Sequence, residues 1–573
     1  MYILGLCNDE TSSACLMKDG NIIAAVSEER FTRVKMDNSF PSQSIQYCLD
    51  FGGVTLDQVD AIAYAWQKGF SPTLLNDYVN RAIELASDKK AIEIFLSRIQ
   101  WEINQDQIKR SEFDNWIKEN VDLKNTQVLD FYHHQAHAAS AAFFSPFNSG
   151  IVFTADGRGD FESTTIWQFD RFSKNYLNKL YSGLTADSLG YFYGRITGLL
   201  GFKPMRHEGK ITGLAAYGDP SAAMELCKKM IDVSKGKIVS SLGSYYAPFF
   251  EPYETQLINE IKKYSREDVA AATQLHLENM MSELLEYHLV SFSEFSVNLM
   301  CAGGVFGNVK VTQRLKNSPK VKSTYVQPQM GDGGLCLGAA ALANEELNNS
   351  KNIKIHRTKP LTSVYLGPSY DYKNKVSDLS VHVQKCEIKK APKKFVDSLI
   401  SNKVIGLVQG RMEFGPRALC NRSIIYRTSD PTINDWLNKR MRRTEFMPFA
   451  PVIRLERTKD VILNHQDCDT TLEYMTSTVN VTKKFRDLCP AVVHVDNTAR
   501  PQVVTNKSNE FIWEVLKIWE EVSGELSLVN TSFNAHEEPI IQSEFDGLNA
   551  LKEGIVDELW VLKDKQFYIY SLN

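Results

Sequence analysis

The chain has 573 residues, 43% hydrophobic and 23% charged, with a formal net charge of −4. This length implies two or more domains, and this composition an ordinary globular protein. The acidic balance excludes a global basic footprint for nucleic acid or an anionic membrane surface, and no run of about 18 apolar residues suggests a membrane span. The start, Met1–Leu6, is too short an apolar run for a signal peptide and lacks its basic flank. Ten cysteines, scattered singly without a CxxC pair, read as small buried hydrophobes in a reducing compartment, so a cytoplasmic location is expected.

In chain order, Ile3–Leu6 is a predicted strand, Asn8–Ser12 a polar turn, Ala14–Met17 a strand, Asp19-Gly20 a tight turn and Ile22–Ser27 a third strand. His133-His134-Gln135-Ala136-His137 opens a helix-compatible run to Phe144. On a helix, His133 and His137 share a face one turn apart, as a single metal ion requires, while His134 points elsewhere and is read as structural. The usual zinc-protease motif is excluded, because Glu does not follow the first His. Residues 150–155 form the next strand, followed by Asp156-Gly157-Arg158-Gly159-Asp160, a turn whose amides could approach a phosphate, then a strand over Ser163–Gln168. The two strand–turn–strand copies, about 145 residues apart, resemble the duplicated actin-like ATPase fold.

Two further Gly-rich segments follow. Cys301–Asn308, after the apolar Val297–Met300, could bring backbone close to an adenosine or phosphate. Gln329–Gly334 leads into the small-residue helix Leu335–Ala343, where Asp332 reads equally as an N-cap or a ligand. Ala343–Pro360, rich in Asn, Lys and Glu, is the linker candidate. Beyond it, strands are expected at Val404–Gln409, Ala491–Val495 and Ser527–Asn530, with arginine-bearing loops beside them: Gly415–Ser423, Asn438–Phe446, His494–Arg500 and Asn530–Asn534. Arginine forks suit phosphate and carboxylate. A solvated basic face suits Lys439, Arg440 and Arg442 better than Arg417 and Arg422, which are flanked by Gly, Pro, Leu and Asn.

Taken in order, Glu28–Lys35, His133–Ser140, Asp156–Asp160, His207–Gly218, Ala302–Asn308, Gly331–Gly334, Gly410–Ser423, Glu445–Pro451, His494–Arg500 and Asn530–Asn534 resemble the NodU/CmcH-type O-carbamoyltransferase family over nearly the whole chain. The resemblance implies an α/β protein with two domains: a duplicated actin-like (ASKHA) domain over 1–350, and a YrdC-like domain over 361–573. Carbamoyl phosphate and ATP would yield a carbamoyl-adenylate in the second domain, and the first would pass the carbamoyl group to an acceptor hydroxyl.

Carried over by residue, the resemblance implies His133, His137, Asp156 and Asp332 as ligands of a divalent metal, iron(II) being the expectation. Gly157, Gly159, Lys210, Gly303, Gly304, Asn308 and Gly331 would cradle ATP with its Mg. Lys35, Arg417, Arg422, Arg443, His494, Arg500, Ser532 and Asn534 would hold carbamoyl phosphate or its adenylate, with Lys35, Arg417 and Arg422 also catalytic. Many family members carry His-Asp in the first turn, the His activating the acceptor. Here that position is Glu10, so Glu10 or Asp9 is expected to serve as base, a solvated turn residue being the alternative.

The competing readings are an actin-fold kinase, which predicts ADP rather than pyrophosphate, and a tRNA threonylcarbamoyl-type fusion, which predicts tRNA binding. The acceptor is left open among sugars, natural products, polysaccharides and hydroxymethylated nucleobases, with nucleic acid a partner only as acceptor. A homodimer is compatible with the sequence. Residues 65–128 and 219–295, with Trp66, Trp101, Tyr245 and Tyr246, are expected to shape the acceptor pocket or else to pack as ordinary core and surface.

Overall fold

The computed structural model describes residues 1–86, 88–241, 255–290, 296–350, 357–369, 381–443, 448–463 and 470–572. The chain divides into two compact units: Met1–Ile23 with Asn38–Leu361, and Ala24–Asp37 with Thr362–Asn573. Segment 24–37, which carries Lys35, therefore clusters with the later half of the chain.

Strands β1 (Tyr2–Cys7), β2 (Ser13–Lys18), β3 (Asn21–Ser27), β4 (Ala61–Tyr64) and β5 (Gln127–Asp130) form a sheet ordered β3-β2-β1-β4-β5. Next come β6 (Ser149–Gly159), β7 (Glu162–Asp170) and β8 (Leu177–Leu184), the hairpin β9 (Ile231–Ser234) and β10 (Lys237–Ser240), then β11 (Val297–Ala302) and β12 (Val321–Val326). The second sheet reads β8-β7-β6-β11-β12. Both sheets thus show the order third-second-first-fourth-fifth. In each, the first strand is antiparallel to the second and parallel to the fourth. This is the duplicated actin-like architecture that the paired strand–turn–strand segments predicted.

Helices His133–Ala142 and Leu335–Ser350 pack together, with Gly338 set against the backbone of Ala136. A Cβ at Gly338 would overlap the Ala136 carbonyl oxygen. Gly338→Ala is therefore expected to cost about 1–3 kcal/mol by overpacking and to lower the melting temperature.

Three local expectations change. The linker candidate is helical through Ser350, and its polar residues are used inward: Asn344 donates to the Thr358 hydroxyl (3.0 Å), and Glu345 accepts the Thr358 amide (2.9 Å). Asp156–Gly159 is not a turn but the end of β6, which shifts register between Ala155 and Gly159; the reversal falls at Asp160 and Phe161, both at positive φ. Ala491–Val495 is not a strand, because Pro490 opens a single 3-10 turn over Pro490–Val492.

The second unit holds β13 (Val381–Glu387), β14 (Ile405–Val408), β15 (Arg422–Arg427), β16 (Ala450–Arg454), β17 (Val479–Asn480), β18 (Thr498–Ala499), β19 (Gln502–Val504), β20 (Leu528–Ser532), β21 (Glu558–Lys563) and β22 (Gln566–Leu572). Eight of these form one mixed sheet, β13-β22-β21-β14-β15-β20-β16-β19, and β17 pairs with β18. Alternation along β14 and its neighbours sends Val404, Val408 and Ile424 into one core and Ile405, Leu407 and Ile425 into another, as a sheet covered on both faces requires. Among the described residues, no helix is long and apolar enough to cross a membrane.

Candidate active site

In the first unit, His133 begins its helix, and its backbone amide donates to Asp160 Oδ2 (2.7 Å). Burial then leaves both His133 ring nitrogens without a hydrogen-bond partner among the described residues. His137, one turn on, lies 3.0 Å from Asp156 Oδ2 and 3.5 Å from Asp332 Oδ1. His133 Nε2 is 3.6 Å from the same Asp332 oxygen. One ligand atom from each of these four residues fits within 4.8 Å of the others.

Strand β6 delivers Asp156 at its register shift, and the turn before helix Leu335–Ser350 delivers Asp332. The amides of Gly157 (2.7 Å) and Gly304 (2.9 Å) fix the Asp156 carboxylate. Gly303, at φ +100°, packs so closely on Ala155 that no side chain fits.

Burial opposes a charge on His137, but Asp156 and Asp332 overcome it and raise its pKa to about 9. Burial, with His137 and His134 beside it, drives His133 well below the usual range. Burial and Asp156 push Asp332 up to about 7. Two nitrogens and two carboxylates converging in a buried site, with His133 nitrogens orphaned, form a donor set that fits one divalent cation. His134 faces away and shares a 2.8 Å hydrogen bond with the Thr154 hydroxyl, the structural part expected of it.

A Cβ at Gly159 would overlap the His133 ring. Gly159→Ala is therefore expected to displace that imidazole and weaken metal binding at least about tenfold, read as metal content after dialysis.

Asp9 and Glu10 lie in the β1–β2 turn. Burial, and then Asp332, Asp9 and Asp156, raise the Glu10 carboxyl well above its usual range, which puts Glu10 within electrostatic reach of the four-residue cluster. Among the other first-unit residues singled out, Asn308 caps helix Val309–Lys316 by accepting the Lys310 and Val311 amides, and it exchanges hydrogen bonds with Gln274. Lys210 is buried on helix Glu208–Leu214, and Gly331 precedes the Asp332 turn.

The second unit gathers cations. Arg422 is fully buried and donates to the carbonyls of Gln409 (2.8 Å), Asn421 (2.9 Å) and Gln542 (3.0 Å). Glu413 Oε1 accepts the amides of Leu419 (2.7 Å), Asn421 (2.8 Å) and Arg422 (3.2 Å). Arg30 holds the Gly415 carbonyl (2.8 Å). Between them these three side chains shape the loop that carries Arg417.

Arg443 donates to the hydroxyls of Thr531 (3.0 Å) and Ser532 (3.0 Å) and to Asn534 Oδ1 (2.6 Å), binding three predicted residues into one group. Lys35 joins it: burial lowers its ammonium, Glu29 opposes, and Arg30 and Arg443 lower it further. Burial lowers Arg417 and Arg422 to about 10 each. His494 closes a turn, its amide donating to the Thr498 carbonyl (2.8 Å) with Nδ1 3.4 Å from Asp496, and Arg500 follows β18. Glu445–Met447 of the Glu445–Pro451 motif, and Tyr245 and Tyr246, lie outside the described residues.

Sequence reasoning passed over Glu413 and Arg30. An acid immediately before Phe414-Gly415-Pro416 was the available signal for Glu413. Nothing local marks Arg30 as a loop clamp.

With this geometry in view, the carbamoyltransferase N-terminus model matches residues 2–341 and the carbamoyltransferase C-terminus model residues 396–566. The chain belongs to the carbamoyltransferase family. Nodulation protein NolNO of Sinorhizobium fredii is 31% identical over 565 residues, covering 96% of this carbamoyltransferase and 78% of the relative. Nodulation protein U of the same organism is 31% identical over 299 residues, covering 51% and 49%. Component A of the (R)-2-hydroxyglutaryl-CoA dehydratase of Acidaminococcus fermentans, 15% identical, overlaps 61% of this chain and 99% of its own with a TM-score of 0.34. The repeated strand order, not that overlap, defines the fold.

Proposed function

We propose that this enzyme is an ATP-dependent O-carbamoyltransferase, with the first unit transferring and the second unit activating the carbamoyl group. The observation that carries the division is the pairing of a two-His, two-Asp cluster built on buried histidines in one unit with a largely shielded cationic loop cluster in the other.

In the second unit, water cleaves carbamoyl phosphate to carbamate and phosphate. A carbamate oxygen then attacks the α-phosphorus of ATP, and pyrophosphate leaves. Lys35 and Arg417 supply positive charge to the phosphoryl oxygens, with Arg500 and His494 alongside. Ser532 and Asn534, locked by Arg443, position the substrate. Arg422 acts by holding the loop, since its donors go to backbone carbonyls.

In the first unit, the acceptor hydroxyl attacks the carbamoyl carbon, the bond to the adenylate oxygen breaks, and AMP leaves. Glu10, or Asp9 beside it, takes the hydroxyl proton. Gly303, Gly304 and Gly331, with Gly157, Gly159, Lys210 and Asn308, line the nucleotide cradle, the small residues allowing close backbone approach. His133, His137, Asp156 and Asp332 would hold a divalent ion, iron(II) by family resemblance. When bound, the ion supplies charge neutralisation at the phosphate.

The test is product analysis. Pyrophosphate that forms from ATP only with carbamoyl phosphate present supports the proposal. ADP in its place would favour the kinase.

A further inference from the structure

The hydrogen bond between His134 and Thr154 is the inner end of a buried chain. Thr154 on β6 and Thr165 on β7 are directly opposed in the sheet, and their hydroxyl oxygens lie 2.5 Å apart. Trp167, two residues along β7 and so on the same face, donates its indole N–H to the Thr165 hydroxyl (2.6 Å). His134, Thr154 and Thr165 are fully buried, and Trp167 is 7% exposed.

Donor and acceptor chemistry gives this chain a direction. An indole nitrogen only donates, so the Thr165 oxygen accepts from Trp167. Thr165 then has one proton of its own, and Thr154 is its acceptor among the described residues. With Thr154 accepting, the Thr154 proton passes on to His134 Nδ1 (2.8 Å). The opposite direction would leave the Thr165 proton buried without an acceptor, at the full desolvation penalty of that group. His134 Nδ1 therefore carries no proton, and the ring is the neutral Nε2–H tautomer. Nε2 is buried without a partner among the described residues whichever nitrogen is protonated, so it does not alter the choice.

The chain grips the helix that carries both histidine ligands. Apart from the histidines, the buried side chains of His133–Ala142 are alanines and Ser140, and the Ser140 hydroxyl turns back onto the His137 carbonyl of its own helix (2.8 Å). Alanine methyls pack without a preferred direction. Among the described residues, His134 is the side chain outside the ligand pair that hydrogen-bonds this helix to another element. It does so at Thr154, two residues before Asp156 on the same strand, while His137 faces Asp156 itself at 3.0 Å. Two contacts on one strand fix the roll of the helix.

Resting on the reading of the four-residue cluster as a metal site, we propose that Trp167 and Thr165 are positioning residues for it. Through Thr154 they hold His134 as its Nε2–H tautomer, and that fixed ring sets the rotation at which the helix presents His133 and His137 to the ion.

Two readouts on the full-length protein test this. In zinc-loaded protein labelled with nitrogen-15 at histidine, NMR is expected to find the His134 proton on Nε2, the ring being assigned through its contact with Thr154. Thr165→Val and Trp167→Phe are each expected to mix the two tautomers, to weaken cobalt(II) binding about tenfold and to shift the cobalt absorption bands. Thr165→Ser, which keeps the hydroxyl but not the methyl, should bind cobalt(II) within about twofold of the parent, a rescue that a packing role would not give. Trp167→Phe, at the outer end of the chain, carries the test should the buried Thr165→Val fail to fold. A parent His134 proton on Nδ1, or cobalt(II) affinity and spectrum unchanged in the variants that fold, would overturn the proposal. A parent protein that binds no cobalt(II) would instead sink the metal reading of the cluster, and the positioning role with it, while the tautomer result stood.

Discussion

His137→Ala is expected to reduce bound metal to less than about a tenth of the parent content and to lower carbamoyl transfer by at least about two orders of magnitude. The reason is geometric: His137 Nε2 is the ligand atom nearest both carboxylates, 3.0 Å from Asp156 and 3.5 Å from Asp332. Its removal leaves those two half-buried acids facing each other across a gap, and a three-ligand site with one orphaned histidine. Acceptor-independent pyrophosphate release, assigned to the second unit, should stay within about twofold of the parent on the same argument. Metal analysis after dialysis and a pyrophosphate assay on one preparation check both halves. Full metal content in the variant would remove His137 from the site.

The second large effect is structural and falls on Glu413. Its Oε1 accepts three backbone amides, those of Leu419, Asn421 and Arg422, inside a buried loop. Glu413→Ala strips all three of their acceptor and is expected to cost about 3–5 kcal/mol, because a buried, unsatisfied N–H loses its full desolvation penalty. Arg417 sits on that loop, and on the proposed mechanism a displacement of about 1 Å is expected to slow pyrophosphate release about a hundredfold. Glu413→Gln keeps a carbonyl oxygen for the amides and should lose about 1–2 kcal/mol, with most activity retained. Thermal unfolding separates the two variants. A Glu413→Ala protein with unchanged stability and unchanged pyrophosphate release would show that the loop does not depend on this carboxylate.

How much of this was written in the chain differs from element to element. The histidine pair was legible because helical spacing alone puts His133 and His137 on one face, and an alanine-rich run makes the helix credible. The duplicated strand order was legible in outline because both copies begin with an apolar strand, a polar turn and a second strand. Asp332 stayed ambiguous between cap and ligand until the packing of its helix against His133–Ala142 brought it to the imidazoles.

Arg422 marks the limit of such reasoning. An arginine among Gly, Leu and Asn reads as an anion fork, yet its donors face carbonyls contributed by residues as distant as Gln542, which no local pattern reveals. The Asp156–Asp160 segment misled for a related reason: a Gly-rich string reads as a turn, whereas Gly159 is small because the His133 ring packs on it. Residues 24–37 cluster with a part of the chain more than 300 positions away, a long-range choice that composition cannot encode.

The most direct measurement is pyrophosphate release from ATP, with and without carbamoyl phosphate and without any acceptor, in the parent, Arg417→Ala and His133→Ala proteins. Release that requires carbamoyl phosphate, disappears in Arg417→Ala and persists in His133→Ala is the expected result. Pyrophosphate absent and ADP formed, or release that survives Arg417→Ala but dies with His133→Ala, would contradict an activating second unit and a transferring first.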